Sequence, residues 1–140
     1  MAVLAMAQTA MMMRSLVGTL EPVLSTADVR RVLRRGGTAL WMPMQALRDQ
    51  PDELTSWDVT SDSLALWLAR QLNAERLTLV KSCAVEPRWD VAEWAARGIV
   101  DAAFEPMARH AGLAIDVLSS DQVETLRSWL TGTPIGTSMA

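Results

Sequence analysis

The 140 residues contain one cysteine, Cys83, and one histidine, His110. An intrachain disulfide is therefore excluded, and a structural zinc site lacks enough ligands. Tyrosine is absent, phenylalanine occurs once, and the only lysine, Lys81, stands beside twelve arginines. No apolar run reaches the roughly 20 residues that span a bilayer. The apolar opening, residues 1–13, is interrupted by Gln8 and Thr9 and closed by Arg14, and it lacks the basic start of a secretory signal. Neither a P-loop nor a Rossmann glycine fingerprint is present. These absences predict a cytoplasmic protein, in a reducing compartment, with no membrane partner. The net charge of -3 excludes a generally basic nucleic-acid coat. Arg30, Arg31, Arg34 and Arg35 have no interleaved aromatics, so they read as a solvated helix face and no nucleic-acid partner is expected.

Half of the residues, 50%, are hydrophobic and 21% are charged. A folded monomer of 15.4 kDa has roughly 7,000 Å² of accessible surface, against roughly 22,000 Å² unfolded. That burial supports one core, and residues 1–140 read as a single domain.

Residues 2–17, rich in Ala, Met and Leu, predict a helix, with Gly18 and Pro22 marking its end and the following turn. Ser25 and Asp28 resemble a capping box that opens a helix through Arg35, with Val29, Val32 and Leu33 as its apolar stripe. Residues 38–42 predict a short buried strand and residues 44–56 a polar loop or short helical turns. Leu64, Leu68 and Leu72 share a helix face at i, i+4 spacing, with Thr60, Ser61 and Asp62 at its mouth. Strands are expected over 76–81 and 113–118, and helices over 91–96, 103–111 and from Ser119–Gln122 to Leu130, with a loop and terminal strand in 131–140. This alternation predicts an α/β fold, a three-layer open parallel or mixed sheet whose ligand crevice lies at the carboxyl ends of its strands. Pro43, residues 81–86 and residues 118–121 fall on that rim.

Two polar segments offer chemistry. In Ser56-Trp57-Asp58-Val59-Thr60-Ser61-Asp62-Ser63, the helix mouth supplies free backbone N–H groups and a field that favours anions, though the same residue types are ordinary N-caps. Lys81, at a strand end before Ser82, suits a phosphoryl contact as a compact charge on a flexible stem, and equally suits plain exit to solvent. Glu86, Asp90 and Asp101 either reach the same rim or are solvated surface carboxylates. His110 has no nucleophile near it in sequence, so helix-end capping is its expected role, and Cys83 reads as a buried or rim thiol. Of the six tryptophans, Trp57 and Trp89 flank the polar segments and are the candidates for ring contacts.

Trp57-Asp58-Val59-Thr60-Ser61-Asp62-Ser63-Leu64-Ala65, followed by Leu77-Thr78-Leu79-Val80-Lys81-Ser82, resembles the amino acid kinase superfamily, which includes aspartate, acetylglutamate and uridylate kinases. Gly98-Ile99-Val100-Asp101-Ala102-Ala103-Phe104 and residues 130–137 are similar to its small aminomethylfuran-methyl phosphate kinase-like branch, and the Ala-Met helix resembles the helix before its nucleotide-binding half. The resemblance implies an amino-acid-kinase-like domain, mainly its C-terminal nucleotide-binding part. The Gly-rich phosphate-binding segments that open such a domain have no counterpart, so the expectation is an N-terminally incomplete member. It further implies an ATP-dependent phosphotransferase with Mg²⁺ as companion ion. The substrate would be a small-molecule phosphoryl acceptor of methanofuran or pterin-linked one-carbon metabolism, and the assembly a homo-oligomer. Asp62 would organise the catalytic groups, Thr60 and Ser61 would shape the acceptor or phosphate edge, and Lys81, Ser82 and Glu86 would face the nucleotide. Where the family has Thr-Asp and a Gly-containing turn after this strand, the chain has Lys81-Ser82-Cys83-Ala84-Val85-Glu86. A noncatalytic nucleotide-binding or assembly module, or a domain with no independent activity, are the alternatives.

Overall fold

The computed structural model describes residues 2–49 and 54–132. The first unit runs α1 (Ala2–Leu16), β1 (Leu20–Val23), α2 (Thr26–Arg34), β2 (Thr38–Trp41) and α3 (Met44–Asp49). Next comes α4 (Ser61–Gln71), and then β3 (Arg76–Lys81), α5 (Val91–Ala96), α6 (Phe104–Ala108), β4 (Ala114–Ser119) and α7 (Val123–Thr131). The result is a mixed α/β fold with small parallel sheets.

Hydrogen bonding joins the strands in two parallel pairs, where a single open sheet was expected. Leu20 to Val23 of β1 register with Thr38 to Trp41 of β2, and Arg76 to Lys81 of β3 with Ala114 to Ser119 of β4. Both β3 and β4 fall, to within a residue, where the two apolar runs place strands, and the structure pairs them. The strand β1 is a correction, because Pro22 lies inside it and not in a turn. In a parallel pair alternate residues face a given neighbour, and the Val23 carbonyl accepts from Met42 N at 2.9 Å. Pro22 therefore faces the opposite edge, where its missing N–H breaks no bond to β2.

Helix ends follow local chemistry. Ser25 caps α2 by accepting from Asp28 N at 3.1 Å, as the sequence pattern predicts. Gly98, at φ 68°, closes α5 in a Schellman turn: its N–H bonds Ala95 O at 3.0 Å and Ile99 N bonds Trp94 O at 2.8 Å. The helix expected over 103–111 is only the five residues of α6, and the N-cap of α7 is Gln122, whose Oε1 accepts from Ser119 N at 2.9 Å. Residues 44–49 are helical, while 50–53 and the terminal strand expected in 131–140 beyond residue 132 lie outside the described residues.

Two apolar cores result. Leu66, Leu79, Trp94, Val100 and Phe104 form the larger, with Phe104 and Leu66 at 0% exposure. Val23, Val29 and Val32 form the smaller, against which Leu72 and Trp41 pack. The helix α4 belongs to both: Leu66 enters the first, Leu72 meets the second, and Trp67 stacks on Trp41 with ring centroids 5.9 Å apart. The predicted stripe of Leu64, Leu68 and Leu72 is thus only part of its buried surface, which also takes in Asp62, Ser63, Leu66 and Ala69. A helix packed on two cores carries its N-terminus to a fixed place beside the end of β3.

Candidate functional site

The strand β3 buries Leu79 in the core and ends on Lys81, which emerges where the strand meets solvent. Its Nζ donates to both Asp62 oxygens, at 2.8 Å each. The two side chains keep only 22% and 10% of their exposure, so this is a largely desolvated pair and not a surface ion pair. Asp62 is the second residue of α4, where the helix field also favours a carboxylate.

Beside the pair opens a cleft of about 480 Å³ lined by Lys81, Ser82, Cys83, Trp89, Arg97 and Gly98 among others. It sits at the carboxyl end of β3, where ligands of open α/β sheets bind. The Arg97 guanidinium lies 4.0 Å over the Trp89 ring, which holds a cation and an aromatic face at one wall. The Schellman turn after α5 brings the backbone of Gly98 and Ile99 to the same wall. Such a cleft offers positive charge, a ring surface and hydroxyl and thiol groups to an anionic ligand with a planar part.

The mouth of α4 is already occupied. Thr60, its N-cap, makes no side-chain capping bond to the helix. Asp101 does this instead: Oδ2 accepts from Thr60 N at 2.8 Å, Thr60 Oγ1 at 2.7 Å and Ser63 N at 3.1 Å, and Oδ1 accepts from Ser63 Oγ. Burial alone, the largest influence, pushes the Asp101 carboxyl up, but the hydrogen bonds from Ser63 and Thr60 together hold it below its ordinary value. Ser63 is fully buried in this contact.

The sequence-predicted residues divide accordingly. Asp62, Lys81 and Ser82 come together, and Trp89 joins them. Thr60 turns its hydroxyl to Asp101, and Ser61 stays exposed at the edge. Glu86 pairs with Arg88 at 3.0 Å and is not among the residues lining the cleft. Trp57, at 102% exposure, contributes no packed ring surface. Cys83 is an exposed rim thiol. Arg97 was not singled out by sequence, and Asp101 was named there only as a carboxylate that either reaches the rim or stays solvated. The Gly98 stop three residues before Asp101 fixes a turn but not its destination. Among the described residues no group of three His, Cys, Asp or Glu side chains is placed to hold a metal ion. No helix among them is long and apolar enough to cross a membrane. Neither a known family model nor a curated protein matches this chain.

Proposed function

We propose that the protein is an ATP-dependent phosphotransferase acting on a small molecule, built on an amino-acid-kinase-like domain. The observation that carries this reading is the Lys81–Asp62 pair at the edge of the β3 cleft. ATP is the phosphoryl donor, and the cleft fits its needs: Arg97 and Lys81 supply charge for phosphates, Trp89 a ring face, and Ser82 a hydroxyl. Catalysis of this kind rests on positioning and charge more than on covalent chemistry. Asp62 holds the lysine ammonium at the end of β3, and Ser61 and Thr60 border the acceptor side. Both Asp62 oxygens accept from Lys81, so Mg²⁺ belongs with the nucleotide phosphates in this reading. The acceptor, following the resemblance, belongs to methanofuran or pterin-linked one-carbon metabolism, and the location is the cytoplasm.

We also propose a homo-oligomer. The helix α1 carries a single charge, Arg14, and exposes Leu4, Met11, Met12 and Leu16. A nearly charge-free face meets its own copy without like-charge repulsion, so a second copy is the occupant that suits it. Sedimentation at several concentrations tests this, and a monomer throughout overturns it.

Titration of the protein with MgATP, followed by tryptophan fluorescence and thermal midpoint, tests the main reading. Saturable stabilisation by MgATP and phosphoryl transfer to a small alcohol, carboxylate or phosphomonoester are the expected results. No binding at millimolar MgATP overturns the reading. The saturation of Asp62 by Lys81 favours one second reading, a nucleotide-binding module without turnover, and binding with no transfer to any such acceptor selects it.

A further inference from the structure

Asp101 reaches α4 from 38 residues along the chain. Its placement is determined on both sides. Gly98 ends α5 three residues earlier, Val100 is buried, and Phe104 is anchored at the centre of the larger core three residues later. The same turn is latched a second time, since Ala103 N donates to Asp58 O at 3.3 Å. The residue that would ordinarily cap α4, Thr60, leaves the Ser63 N–H to Asp101. Between Thr60 and Ser63, the two residues held by Asp101, lies Asp62, the partner of Lys81.

We infer that Asp101 is a positioning residue: its carboxylate caps α4 from outside and thereby sets the direction in which Asp62 meets Lys81. A carboxylate with four donors in two dimensions of the turn fixes both the depth and the rotation of the helix mouth, which a single N-cap hydroxyl does not. It also fills the place where a ligand anion would otherwise use the free N–H groups of α4, so ligand phosphate is directed to the Lys81 and Arg97 side. The consequence for catalysis rests on the phosphotransferase reading, but the positioning itself does not.

Lys81 is the only lysine of the chain, so lysine labelled with ¹³C at Cε gives one side-chain signal. In the wild-type protein this signal is expected to show two distinct Hε shifts, because the ammonium is held on both Asp62 oxygens. Asp62→Asn defines the released lysine, with the two shifts merged. Asp101→Ala is expected to move the signal over most of the separation between those references, Asp101→Asn over less, and exogenous formate to draw Asp101→Ala back towards wild type. A cap that merely stabilises the fold lowers the thermal midpoint of Asp101→Ala but leaves the Lys81 signal in place, and that result overturns the inference. So does a wild-type signal that is already merged. Should Asp101→Ala fail to fold, Ser63→Ala, which removes one donor and keeps the carboxylate, must shift the same signal in the same direction, and an unmoved signal again overturns it. Absence of MgATP binding by the wild-type protein, with the Lys81 signal behaving as expected, sinks the phosphotransferase reading alone.

Discussion

At the scale of single residues two carboxylates tie distant parts of the second unit together, Asp62 to Lys81 and Asp101 to Thr60 and Ser63. Removing one partner of the Lys81–Asp62 pair leaves the other charge desolvated and alone. Asp62→Ala is therefore expected to lower the unfolding free energy by about 3 kcal/mol, read by urea titration, and under the proposed phosphotransferase function to abolish turnover. Retained turnover would remove Asp62 from the catalytic role. Asp101 gives a pH dependence with a definite sign. Its folded pKa lies below the unfolded one, so it stabilises the fold above the unfolded value of about 3.9 and loses that contribution as pH falls through the folded value. The thermal midpoint of the wild-type protein should thus fall below about pH 4 more steeply than that of Asp101→Asn. Asp62 and Lys81 were legible in the sequence because a helix mouth and a strand end announce themselves locally. Asp101 was not, because a carboxylate in a turn looks the same whether it meets water or a helix 38 residues away.

At the scale of elements the two βαβ-like units depend on small local features. Gly37 must follow α2 closely: a Cβ there would lie 2.9 Å from Val32 Cγ1 and 3.0 Å from the Glu21 carboxylate. Gly37→Ala is expected to cost about 1–3 kcal/mol in chemical denaturation, as overpacking does, while Ser25→Ala removes the α2 cap at about 1 kcal/mol. The positions of β3, α5 and β4 in the second unit agree with the periodicity to within a residue, because apolar runs mark the strands and Asp90 caps α5. β1 was hidden because Pro22 carries the same turn signal whether it ends a helix or sits on the open edge of a strand. The shortness of α6 likewise comes from packing. Phe104 is fixed in the core, and the chain turns at Gly112 to enter β4.

At the scale of the whole molecule α4 is the element on which both cores depend, since no hydrogen-bonded strand ladder connects the two sheets among the described residues. Leu66→Ala is expected to cost about 2–5 kcal/mol, with loss of native signals in both units and not only the second. Selective loss in the second unit alone would show that α4 does not couple them. The helix α1 buries Ala10 and leaves Leu4, Met11, Met12, Met13 and Leu16 exposed. Its amides should exchange faster than those of α4 in the monomer, and slow as concentration rises if copies associate.

The sequence by itself determined the α/β class, strands over 76–81 and about 113–118, the α2 cap, and the polar helix mouth and lysine-ended strand as separate candidates. Each of these is written in spacing and capping chemistry within a few residues. Only the tertiary structure decided that the strands form two separate pairs, that α4 serves both cores, and that its mouth is filled by Asp101 while the cleft opens on the Arg97 side. Those outcomes depend on which distant groups satisfy a desolvated donor or cover an apolar face. Local pattern states the need for a partner, and packing chooses it.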